Sequence, residues 1–82
     1  MSYDVQWEPV VVTQVSRFMA THGRGLEELL AFLDSLAENP RPTGSVAWGP
    51  EYRRARIGAW RVLYRVDEAV CVVGIENVSR TG

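Results

Sequence analysis

The run Trp60-Arg61-Val62-Leu63-Tyr64-Arg65-Val66 constrains this chain more than any other stretch. Apolar and aromatic residues fall at every second position. A strand turns successive side chains to opposite faces, so Trp60, Val62, Tyr64 and Val66 share one face and Arg61, Leu63 and Arg65 share the other. Such a strand needs neighbours along its edges and a cover over its apolar side. The arginine side is left open. Whatever else this chain does, it must build a small sheet covered on one face only.

The flanking residues supply the neighbours. Arg53–Ile57 reads as a strand in which Arg54 and Arg56 point one way and Arg53, Ala55 and Ile57 the other. Gly58-Ala59 joins it to Trp60, and Gly58 can take the positive φ that a tight hairpin requires. Asp67-Glu68 makes the next turn. Ala69-Val70-Cys71-Val72-Val73-Gly74-Ile75 is almost wholly apolar and predicts a central strand buried on both faces, with Cys71 as a small core residue. Near the start, Tyr3-Asp4-Val5-Gln6-Trp7 alternates and predicts a first strand, which must join the later three because an isolated strand is not stable.

The cover comes from the residues between. Pro9 suits the first turn of a helix, where its missing N–H is not needed. Val11, Val15, Phe18 and Met19 then follow helical spacing. Gly23-Arg24-Gly25 interrupts it. Leu26, Leu29, Leu30, Leu33, Leu36 and Ala37 form a second apolar stripe, with Glu27, Glu28, Asp34 and Glu38 opposite. Asn39-Pro40-Arg41-Pro42-Thr43-Gly44-Ser45 ends it with consecutive breakers. The expected fold is α+β with order β-α-α-β-β-β: two antiparallel helices on one face of a four-stranded, mostly antiparallel sheet. Residues 1–82 are expected to form a single domain, since so short a chain supports only one core.

Composition narrows the function. One cysteine and one histidine, Cys71 and His22, exclude an internal disulfide and make a zinc site untenable. No metal and no cofactor are expected. No apolar run reaches the ~18–20 residues that span a bilayer, and residues 1–7 lack the basic and apolar regions of a signal peptide, so a cytoplasmic protein without membrane contact is expected. The net charge of −1 conceals a division. Residues 1–40 set two arginines against six carboxylates, net −4; residues 41–82 set seven arginines against four, net +3. All nine basic residues are arginine, whose planar fork of donors matches phosphate. Arg54, Arg56 and Arg61 are expected to gather on the uncovered face, with Arg80 joining from the last strand, and this pattern points to an anion-binding pocket. Solvated arginines without function are the plain alternative. Trp48, just before the arginine strand, either stacks on a base or caps the core edge. His22 lies at the end of the first helix and is expected at the surface.

Two motifs carry a resemblance. Leu36-Ala37-Glu38-Asn39-Pro40-Arg41-Pro42 is similar to the pattern L…NPRP, and Arg54-Ala55-Arg56-Ile57-Gly58-Ala59-Trp60-Arg61-Val62-Leu63-Tyr64 is similar to R-x-R-V-G-x-Y-R-V-L-Y. With the element order, these resemble the RelE/ParE toxin superfamily over nearly the whole chain. The resemblance implies a RelE-like toxin of a type II toxin–antitoxin system: a ribosome-dependent mRNA endonuclease that inhibits translation, with a cognate antitoxin and mRNA on the ribosome as partners. It implies that Arg54 and Arg56 face the RNA, that Arg61 contacts the scissile phosphate and that Arg80 helps to stabilise the developing charge; Arg53 and Trp48 are further candidates for RNA contact, and Arg56 for catalysis. The implied reaction uses the 2′-hydroxyl of the RNA as nucleophile and needs no metal. Family members usually place a tyrosine or histidine just after the last-strand arginine; here Thr81-Gly82 follow Arg80, which leaves Glu51 and Tyr52 as the acid–base candidates. The same resemblance leaves open a non-enzymatic gyrase poison of the ParE kind, or a decayed toxin that only binds its antitoxin.

Overall fold

The computed structural model describes residues 2–81. The elements run β1 (Asp4–Trp7), α1 (Pro9–Thr21), a 3-10 turn (Gly23–Gly25), α2 (Leu26–Ser35), β2 (Ser45–Ala47), β3 (Tyr52–Ile57), β4 (Trp60–Asp67) and β5 (Val72–Arg80). The sheet order is β1-β5-β4-β3-β2, with β1 parallel to β5 and every other pair antiparallel. Among the described residues no helix is long and apolar enough to cross a membrane.

The α+β class and one-sided cover are as expected, but the described residues form five strands. The additional one, β2, is three residues between Gly44 and the Gly49-Pro50 break, too short to show a period. It persists as an edge because Arg53 holds it: Nε donates to Ser45 Oγ at 2.9 Å and Nη2 to the Ser45 carbonyl at 3.2 Å. Ser45 Oγ in turn donates to the Pro42 carbonyl.

The core lies between the helices and one sheet face. Val11 and Val15 from α1, Leu26, Leu29 and Leu33 of α2 and Leu36 just beyond it meet Trp60, Val62, Tyr64 and Val66 of β4 and Val73, Ile75 and Val78 of β5, while Leu30 of the expected stripe is exposed. Met19 departs from the expected stripe and faces solvent, while Phe18 packs edge-on to Trp60. Two large side chains place their polar ends on backbone: Trp60 Nε1 donates to the Gly25 carbonyl at 2.8 Å, and the Tyr64 hydroxyl to the Pro40 carbonyl at 2.7 Å. The NPRP motif thus acts structurally, as an anchor for the central tyrosine. Gly25 lies close against both side chains, with the place of a Cβ 3.4 Å from an Arg80 Nη atom and 3.7 Å from the Trp60 ring.

The last strand differs from expectation. Residues 68–71 form the β4–β5 turn, with Cys71 half-buried in the left-handed region at φ 54 rather than in the core. β5 starts at Val72 and is central in order, yet helices cover only one of its faces. Along it Leu63 pairs with Asn77 and Tyr64 with Ile75, so Glu76 is an extra residue, a β-bulge. The bulge reverses the parity of everything after it. Val78 shares the helix-side face with Val73 and Ile75, although simple alternation would separate them.

Candidate nucleic-acid interface

The β3–β4 hairpin sets the site. Its two-residue turn, with Gly58 at φ 57, fixes a register in which Arg54 opposes Leu63 and Arg56 opposes Arg61. Ala55, Trp60 and Val62 must point into the core, so their neighbours Arg54, Arg56 and Arg61 point away from it. These three arginines line one open concavity of about 370 Å³, together with Val46, Leu63, Asn77 and Ser79. Ser79 lies opposite Arg61, and Asn77 opposite Leu63.

The charge at this place is uncompensated. The ion pairs among the described residues are Arg41–Glu68 and Arg65–Asp67, and neither touches the concavity. Arg65 shares the open face but sits further along β4. It is neutralised by Asp67 at 3.3 Å, and a Cβ at neighbouring Gly74 would meet Glu76 Oε2 at 3.3 Å. Arg56 and Arg61 are like charges directly opposite one another, an arrangement that opposes folding. A bound anion relieves it, and guanidinium forks match the oxygens of a phosphodiester.

Arg80 is not in this group. Its partner across the ladder is Trp60, a helix-side residue, and the Arg80 guanidinium lies 4.8 Å from the centre of the Trp60 ring. The expected four-arginine pocket is corrected to three. The bulge at Glu76 is the physical reason, since without it Arg80 would emerge beside Arg61. Arg53 is also displaced from its expected RNA-facing place: it lies on the helix-side parity and is spent on Ser45. The structure therefore brings together Arg54, Arg56 and Arg61 and leaves Arg53 and Arg80 behind the sheet.

The remaining candidates divide. Trp48 is 56% exposed and does not cap the core; Arg54 lies over its ring at 3.9 Å, so the pair forms a flat wall at the groove's edge. Tyr52 is on the open face two positions from Arg54, directly opposite Arg65. Glu51 is exposed and precedes the strand, where its carbonyl accepts from the Val66 N–H. His22 is exposed at the end of α1 on the covered side, edge-on to Trp60 and bonded through Nδ1 to the Thr21 hydroxyl. The groove lining holds no carboxylate and no imidazole.

Leu63, Asn77 and Ser79 were not among the expected site residues. The first was readable from β4 alternation. The other two depend on the bulge, which leaves no mark in the sequence pattern.

The titratable groups with shifted equilibria lie at the far end of β4 from Arg61. The Tyr3 hydroxyl donates to Glu68 Oε2 at 2.6 Å, and Arg41 pairs with the same carboxylate. Tyr3 and then Arg41 hold the Glu68 carboxyl below its usual range. The bond to Glu68 raises the Tyr3 phenol. This clasp ties residue 3 and the α2–β2 connection to the β4–β5 turn and is structural.

Residues 6–81 match the family described as the ParE toxin of the type II toxin–antitoxin system ParDE. Among solved structures, the toxin–antitoxin complex RelBE2 from Mycobacterium tuberculosis aligns with a TM-score of 0.81 at 21% identity, over 98% of this chain and 99% of the other. The archaeal RelE–RelB complex from Pyrococcus horikoshii aligns with a TM-score of 0.80 at 25% identity, over 100% and 98%. The isolated RelE toxin of E. coli aligns with a TM-score of 0.81 at 17% identity, over 99% and 86%. No curated protein matches the sequence at a significant level.

Proposed function

The chain belongs to the ParE toxin family of type II toxin–antitoxin systems, within the RelE/ParE superfamily, and from that premise we propose that its three-arginine groove binds the phosphodiester backbone of mRNA on the ribosome and promotes its cleavage. The observation that carries this reading is the unpaired cluster of Arg54, Arg56 and Arg61 on an otherwise acid-free concavity. Its protein partner is a cognate antitoxin that covers these arginines, in keeping with the toxin–antitoxin complexes whose fold it shares.

In this reading the RNA's 2′-oxygen forms a bond to the adjacent phosphorus and the bond to the 5′-oxygen breaks, giving a 2′,3′-cyclic phosphate and a 5′-hydroxyl. Charge builds on the non-bridging oxygens. Arg61 and Arg56, opposed across the hairpin, stabilise it, and removal of one such donor slows reactions of this kind by about 10²–10³. Ser79 beside Arg61 adds a neutral donor. Arginine stays protonated and cannot take the proton of the 2′-hydroxyl. Water takes that proton, and water or the Tyr52 hydroxyl on the same face returns one to the departing 5′-oxygen. DNA lacks the nucleophile and is bound without being cut.

A second reading, a non-enzymatic poison of DNA gyrase, is favoured by the absence of any carboxylate or imidazole in the groove lining. Primer extension on an mRNA in a translating extract separates the two. Cuts within ribosome-occupied codons, absent with Arg61→Ala, support the endonuclease. Intact mRNA with accumulating gyrase–DNA breaks overturns it in favour of the poison.

A further inference from the structure

We propose that Asn77, its amide turned by Gln14, donates from Nδ2 to the keto oxygen of a nucleobase lying on Leu63, so that the groove selects guanine or uracil over adenine or cytosine beside the bound phosphate. This rests on the RNA reading above and adds a base seat to it.

β1 stops at Trp7, opposite Ile75, so the outer edge of β5 beyond that point has no strand beside it. The Val78 N–H there donates instead to Gln14 Oε1 of α1, at 2.8 Å. A backbone N–H can only donate, which fixes the oxygen of Gln14. Its Nε2 can then only donate, and it does so to Asn77 Oδ1 at 2.7 Å. The polarity of one backbone group thus passes through two amides and leaves the Asn77 NH2 as the free end. Asn77 is exposed and lines the arginine groove.

The seat has the shape of a cross-sheet row. Arg54, Leu63 and Asn77 are successive ladder partners on the open face, and Trp48 stacks on Arg54 at the far end. The next row on the same face is Arg56, Arg61 and Ser79. Rows two residues apart lie about 7 Å from each other, a span comparable to that between a nucleotide's phosphate and its base. A phosphate on the second row places a base over Leu63, an apolar floor bounded by a stacked guanidinium and an amide donor. Nucleobases stack on such planes and are read by their hydrogen-bonding edges. A donor at the edge donates to the O6 of guanine or the O4 of uracil and has no acceptor in the amino groups that replace them in adenine and cytosine.

The test is binding of short fluorescent oligo(U), oligo(C), oligo(I) and oligo(A) RNAs to the full chain at low salt, with melting curves as a fold control. The wild type is expected to prefer oligo(U) to oligo(C), and oligo(I) to oligo(A), by about tenfold, the worth of one hydrogen bond. Asn77→Asp replaces the donor by an acceptor and is expected to reverse both ratios, even as the added charge weakens all four. Gln14→Leu frees the amide to turn and is expected to bring both ratios towards one. Equal binding of the paired oligomers by the wild type, still abolished by Arg61→Ala, overturns the base seat and leaves the RNA interface standing. No binding of any oligomer overturns the RNA reading and the seat with it.

Discussion

Arg56 and Arg61 face one another directly across the β3–β4 hairpin, and no carboxylate among the described residues is paired with either. Cross-strand like charges destabilise a sheet, yet the turn at Gly58 and the apolar alternation around them leave no other register. The hairpin therefore holds two cations together at some expense to stability, and the groove's chemistry follows from that placement.

Replacing Arg56 by alanine removes one side of the repulsion. The expected outcome is a melting temperature unchanged or slightly raised, since exposed substitutions of this kind stay within about 0.5 kcal/mol. Mutant and wild-type melting curves in low salt check it. A clear loss of stability would mean that Arg56 has a structural partner.

Arg80 should behave in the opposite way. It lies over Trp60 beside Gly25. Arg80→Ala is expected to destabilise the fold by about 0.5–2 kcal/mol, the range of cation–π contacts. Urea titration followed by Trp fluorescence measures this. A variant of unchanged stability would show that the contact does not hold the side chain in solution.

Tyr64→Phe tests the anchor beneath the sheet. The hydroxyl is buried and its bond to the Pro40 carbonyl would be lost, leaving that acceptor unpaired. A cost of about 1–3 kcal/mol is expected, seen as a lower urea midpoint at constant slope.

The Tyr3–Glu68–Arg41 clasp should give stability a dependence on pH at both ends. The Glu68 carboxyl is lowered by the Tyr3 and Arg41 bonds, so its contribution is present above the ordinary carboxylate range and is lost as pH falls through the lowered value. The Tyr3 phenol is raised by its bond to Glu68, so its contribution is present below the ordinary phenol value and is lost as pH rises through the raised one. Melting temperatures across pH, with Glu68→Gln as comparison, should show both limbs flattened in the variant.

Much of this was readable in the sequence. Leu26, Leu29 and Leu33 of α2 and the alternation of β4 stated their own burial, although Leu30 of the same stripe is exposed, and the parity of β3 placed Arg54 and Arg56 on the open face. Three features were not readable. β2 is too short to show a period and exists because Arg53 hydrogen-bonds Ser45. The apolar run 69–75 suggested a strand three residues before the sheet begins it, because Cys71 adopts a left-handed turn conformation. The bulge at Glu76 depends on how β5 meets β4, so neither the inward turn of Arg80 nor the groove-facing positions of Asn77 and Ser79 left a local signal.

The account stands on Arg54, Arg56 and Arg61 forming one phosphate-binding group from which Arg80 is excluded. The most direct measurement is the salt dependence of single-stranded RNA binding by wild type, Arg61→Ala and Arg80→Ala. Each phosphate contact contributes about 0.7 to the slope of log K against log salt for a single strand. The account predicts that Arg61→Ala weakens binding and lowers the slope by about that amount, while Arg80→Ala leaves the slope unchanged. An unchanged slope with Arg61→Ala, or an equal loss with Arg80→Ala, would contradict it.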